Sequence, residues 1–166
     1  MKGLAGLSQG LLIEDRQLVL PWRCATGKAR TVLGLEDQRS SKHTLVWRGL
    51  ECLGGLKCDL QCTFLPKEQD SLVMELRLME FVVPGNDNDP ANAVYSRVKT
   101  HLVEYLGKAS LEYEGEEGNL RSFSEWESEE VLVVWKILGL GPNDSCRGEL
   151  WCKPLPDDYL KLTLPA

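Results

Sequence analysis

Two hydrophobic rhythms divide the chain. From Asp89 to Gly107 apolar residues recur at helical spacing, with Val94, Val98, Leu102, Val103 and Leu106 on one stripe. Asp89 stands at a cap position, Pro90 where a first-turn proline is tolerated, and Gly107 where a helix stops. This pattern predicts one long amphipathic helix lying across a sheet. A shorter helical face, Ala25, Ala29, Val32 and Leu33, runs from a Thr26 cap to Gly34.

Elsewhere the period is two. The runs LLI and LVL on either side of Glu14 to Gln17 predict a hairpin, or a strand with a turn, that ends at Pro21. Leu45 and Trp47 mark the next strand, and Leu56, Cys58, Leu60, Cys62 and Phe64 alternate inward along the one after it. Leu72, Met74, Leu76 and Leu78 predict a further inward row, with Glu75 and Arg77 on the other face. Pro84 to Asp89 is a turn cluster, and Lys108 to Leu120 reads as a polar gap. A strand containing Trp126 follows, then Val131 to Leu138, which is apolar on both faces and so belongs inside a sheet. After the turn GLGPND, Cys146, Gly148, Leu150 and Cys152 share one face, and Leu160, Leu162 and Leu164 predict a closing strand.

The expected fold is α+β: antiparallel sheet, in one or more pieces, of about eight strands, with one long and one short helix on one face. A helix ending in Leu-Gly, a polar gap and a strand with a tryptophan occur in that order twice (Leu33-Gly34 and Trp47, then Leu106-Gly107 and Trp126). That order predicts two pseudo-repeats, 19–83 and 89–164, within one compact domain.

Charge adds a local feature. The segment from Leu111 to Glu130 holds eight glutamates and one arginine, a charge of −7 against −6 for the whole chain, so the remainder carries +1. The segment reads either as a solvated hairpin or as a docking surface for a basic protein, and nucleic acid, which needs a basic stripe, is not an expected partner. No apolar run approaches the roughly 20 residues of a membrane span, and the N-terminus has no continuous apolar core of a leader, which predicts a cytoplasmic location; a mature exported form would read the same.

The six cysteines, at 24, 52, 58, 62, 146 and 152, read first as buried free thiols. Cys58 and Cys62, four apart on one strand, stand about 13 Å from each other and cannot bond. A zinc site lacks a CxxC pair, and His43 and His101 are the only histidines. ATGKAR has no glycine-rich turn before its Gly27-Lys28, and neither a nucleophile elbow nor an HExxH helix is present. Glu125 and Glu127 share a strand face and could pair as acid and base, but they read more simply as solvated charges. The sequence predicts no catalytic, cofactor-binding or metal-binding residues.

By the order of its elements, Val19 to Leu164 resembles the β-lactamase inhibitory proteins and the small outer-membrane assembly lipoproteins that share their repeat unit. The resemblance implies tandem helix-on-sheet units and action by binding another protein. It transfers no site residues, because no motif aligns them.

Alternation supplies the candidates instead. If Leu150 points inward, Trp151 points outward beside Arg147, Glu149 and Lys153; Tyr159 does the same opposite Leu160, and Phe123 shares a face with Glu125 and Glu127. Aromatic residues among charges have the composition of a protein-binding surface. The expected site is therefore Phe123, Glu125, Glu127, Glu129, Glu130, Trp151 and Tyr159, on a non-enzymatic binding protein, an inhibitor or immunity-type protein for a basic partner, monomeric or homodimeric. The alternatives are a dedicated chaperone or assembly factor, and a small-ligand carrier or enzyme with a pocket between helix and sheet.

Overall fold

The structure, a computed structural model, describes residues 3–34, 41–67, 70–84, 89–117, 120–140 and 143–156. After a 3-10 turn (Leu4–Leu7) come β1 (Gly10–Ile13), a second such turn (Glu14–Arg16), β2 (Leu18–Pro21), α1 (Thr26–Leu33), β3 (Thr44–Cys52), β4 (Leu56–Lys67) and β5 (Asp70–Val82). The second half runs α2 (Ala91–Leu106), β6 (Leu111–Glu117), β7 (Leu120–Glu127), β8 (Val131–Leu140) and β9 (Asn143–Cys152).

The fold is α+β, and the expected eight or so strands are, among the described residues, nine in a single antiparallel sheet, ordered β2-β1-β3-β4-β5-β9-β8-β7-β6. The extra strand is β6, in a stretch read as a polar gap in the strand count and as part of a solvated hairpin from its charge; it pairs antiparallel with β7. The predicted strand at Tyr159 to Leu164 lies outside the described residues.

Helix α2 buries Val94, Tyr95, Val98, Leu102 and Leu106 against the sheet. Each such side chain contributes roughly 1.5–3 kcal/mol. Val103, placed on the stripe by its spacing, is 37% exposed, and Tyr95 takes its share of the buried face. Asp89 does not cap the helix; its carboxylate lies 3.4 Å from the Arg97 guanidinium. Thr26 likewise supplies no cap to α1, whose buried Ala29 and Leu33 join the same apolar cluster as α2.

The two halves of the sheet meet at β5 and β9, where only four register pairs join them: Leu78 with Trp151, Met79 with Leu150, Glu80 with Glu149, and Phe81 with Gly148. Phe81 needs the glycine, because a Cβ at Gly148 would stand 1.9 Å from its ring. The ring stacks on Trp135 at 5.6 Å, and Trp135 on Tyr95 at 6.4 Å, which ties β5, β8 and α2 together across the seam.

The predicted inward row of β5 is corrected. An irregularity in the β4–β5 register pairs Leu78 with Thr63 but Leu76 with Phe64, so the alternation changes phase at Arg77. Leu76, Met79 and Phe81 face the helices, while Leu78 joins the cluster on the opposite face. Leu72, toward the hairpin end of β5, is 91% exposed. β8 follows expectation: it lies between β7 and β9, and Val131 to Ile137 are all buried.

Candidate partner-binding site

The strand registers lay out the face opposite the helices in rows. One row crosses from β3 to β7 as Thr44, Thr63, Leu78, Trp151, Leu132 and Glu127. The next runs Val46, Gln61, Glu80, Glu149, Val134, Glu125 and, on β6, Leu111. At the β6 end a third contains Arg147, Lys136, Phe123 and Tyr113. Alternation thus orients Trp151, Phe123, Glu125 and Glu127 as expected.

Orientation does not give exposure. Trp151 is only 1% exposed and packs with Leu132 and Val134, flanked by Leu65, Leu78, Phe123 and Leu155. The chain beyond β9 crosses this face: the Lys153 carbonyl accepts from Arg23 at 2.9 Å, the Pro154 carbonyl from Arg77, and Leu155 lies on the cluster. Trp151 is therefore an interior residue of a second, smaller core, not an exposed contact.

Charges share that core. Lys136 Nζ lies 2.5 Å from Glu149, whose other carboxylate oxygen accepts from the Trp151 indole N–H at 3.1 Å; Lys136 is 3% and Glu149 4% exposed. Glu75 and Arg77, also buried, pair at 3.2 Å. Buried charges at this depth persist only when matched. Where β3, β4, β5 and β9 adjoin, Val46, Asp59, Leu60, Gln61, Glu80, Val82 and Arg147 line an open cleft of about 210 Å³. Arg147 donates to Glu80 at 2.8 Å and Gln61 donates to its other oxygen, so the rim carries an internal ion pair.

The remaining candidates gather at the far edge. β6 pairs with β7 on one side, and among the described residues no strand lies along its other side. Tyr113 and Phe123 stack across these two strands at 5.6 Å, and Leu111 is 52% exposed beside them. Ser128 closes the turn into β8, its backbone N–H donating to the Val131 carbonyl at 2.9 Å, and that turn presents Glu129 and Glu130 to solvent.

The acidic segment is partly neutralised by residues remote in sequence. Glu127 pairs with Lys153, and Glu112 with Lys99 of α2 at 3.1 Å. Burial, then the charge of Glu127, raises the Glu125 carboxyl above its ordinary range, while Lys153 pulls the other way. The structure thus sets Phe123, Glu125 and Glu127 along one face of β7, with Glu129 and Glu130 in the turn beyond it, and removes Trp151 from solvent; Tyr159 lies outside the described residues.

Sequence reasoning missed Leu111 and Tyr113. Their signal was the alternation Leu111, Glu112, Tyr113, Glu114, a period-two pattern diluted by glutamates and Gly115. Among the described residues no cluster of three or more His, Cys, Asp or Glu side chains has the geometry of a metal site. No described helix is long and apolar enough to cross a membrane. Compared with known protein families, curated proteins and solved structures, the chain matches none.

Proposed function

We propose that this protein is a non-enzymatic binding module that takes a basic, extended segment of another protein along the β6 edge, in an inhibitor or immunity-type role. The observation that carries the reading is the open β6 edge itself: exposed Glu114 alternates along β6 with Leu111 and with Tyr113, which stacks on Phe123, and Glu129 and Glu130 are exposed in the turn that follows β7. An edge strand supplies unpaired backbone groups for strand addition, the apolar side chains supply contact area, and the carboxylates favour lysine or arginine and speed encounter.

The test is affinity capture from native lysate with the wild-type protein and with a variant carrying serine at Glu125, Glu127, Glu129 and Glu130, at low and moderate salt. A basic protein captured by wild type and lost in the variant, with slowed amide exchange in β6 when bound, is the expected result. Capture of the same set by both forms contradicts it.

Two contacts support the pseudo-repeat reading. Trp47 donates its indole N–H to the Gly34 carbonyl at 3.3 Å, and Trp126 donates to the Gly107 carbonyl at 2.8 Å, so each half closes its helix end in the same way. The strands that follow each helix also run outward from the seam in reverse chain order, β5-β4-β3 on one side and β9-β8-β7 on the other. On this reading the chain is two helix-on-sheet units related by an approximate two-fold axis at the seam.

A small-ligand carrier is the second reading, favoured by the cleft beside Glu80 and Arg147. That cleft lies on the sheet face away from the helices. A melting-temperature screen against a broad metabolite panel tests it, and absence of any shift removes it.

A further inference from the structure

The thiols of Cys52 and Cys58 lie 3.3 Å apart, both sealed in the core cluster beneath α2. Leu50 pairs with Cys58 and Cys52 with Leu56, so the cysteines are diagonal neighbours on one face of adjacent antiparallel strands. We propose that Cys52 and Cys58 are a reversible dithiol–disulfide pair that staples the β3–β4 hairpin under oxidising conditions. The oxidant is a small-molecule disulfide of the glutathione class. Two S–H bonds break and one S–S bond forms, and the two electrons and two protons pass to the oxidant, which leaves as two thiols.

The same geometry provides a gate. The pair sits beside the turn at Gly54-Gly55, and both glycine N–H groups donate to the Glu14 carboxylate, that of Gly54 at 2.8 Å. With the turn in this conformation both cysteines are fully buried. The hydrogen bond to Cys58, burial, and the nearby charges of Glu14 and Asp15 also keep the Cys52 thiol protonated, its pKa raised well above the ordinary range. Opening the turn supplies access, and loss of the Glu14 charge eases ionisation.

The experiment uses the full chain, incubated with millimolar oxidised glutathione and digested with trypsin without reduction. Cleavage after Arg48, Lys57 and Lys67 separates the two cysteines, so the bond appears as Gly49–Lys57 joined to Cys58–Lys67, reversible by dithiothreitol. The link should persist in Cys62→Ala and be absent from Cys52→Ala. Oxidation should raise the melting temperature by on the order of 5 °C, and Glu14→Gln should form the bond several-fold faster. A map without this linked pair, six thiols remaining titratable after unfolding, or a bond from Cys52 to Cys24 or Cys62 overturns the proposal. Fragmentation of the linked wild-type peptides between Cys58 and Cys62 places the bond on one or the other, and so decides the matter even if an alanine variant fails to fold.

Discussion

On the side of the sheet that carries the helices, Phe81, Trp135 and Tyr95 stack without a charge among them; on the other side of the same sheet, Lys136, Glu149 and Trp151 form a hydrogen-bonded ionic group almost as deep. The helix face is held by area and shape, so it should respond in proportion to the volume changed. The opposite face is held by matched charges, so it should respond to imbalance and tolerate paired replacement. Depth alone does not say what kind of interior a residue occupies.

The largest effect expected from this difference is at Lys136. Lys136→Met strands the Glu149 carboxylate and should cost about 3–5 kcal/mol in urea denaturation. Adding Glu149→Leu should recover most of that loss, leaving about 1 kcal/mol for the lost Trp151–Glu149 hydrogen bond. A double variant no more stable than the single one would break the comparison. Next comes Gly148→Ala on the helix side, which drives a methyl into the Phe81 ring held against Trp135 and should cost about 1–3 kcal/mol. Phe81→Leu in the same chain should restore part of it, because the clash there is one of volume.

Away from both cores the effects shrink. Glu129→Ser with Glu130→Ser should leave stability within about 0.5 kcal/mol while weakening any basic partner, since both side chains are exposed. The smallest effect is a slope with pH. Glu125 holds its proton more tightly folded than unfolded, so its contribution is fully present below the unfolded carboxylate pKa and is lost as pH rises through the raised folded value. Glu125→Gln should flatten that part of the stability profile, and a profile identical to wild type would mean that the carboxyl is not desolvated.

These responses follow the line between what was legible in the sequence and what was not. The β1–β2 hairpin, both helices, the inward row of β4 and the doubly buried β8 could be read because each depends on a local period set by backbone geometry. The phase change at Arg77 could not, since it appears only when β4 is laid beside β5. β6 was hidden because an open edge carries charges where an interior strand carries valines. For the candidate site, alternation gave the direction of Trp151 correctly, yet its exposure depends on Leu155 and the carbonyls of Lys153 and Pro154, a return of the chain with no periodic signal. The charge of the acidic segment was likewise overstated until Lys99 and Lys153 were placed beside it.

The centre of the helix-free face, around Trp151, Leu132 and Val134, is a second interior, which withdraws Trp151 from any surface a partner could reach. Hydroxyl-radical footprinting of the free protein, read residue by residue by mass spectrometry, tests it most directly. The account predicts strong labelling at Leu111 and Leu72, with Trp151 and Leu132 protected until the protein is unfolded. Trp151 labelled in the native protein as heavily as it is in denaturant would contradict it.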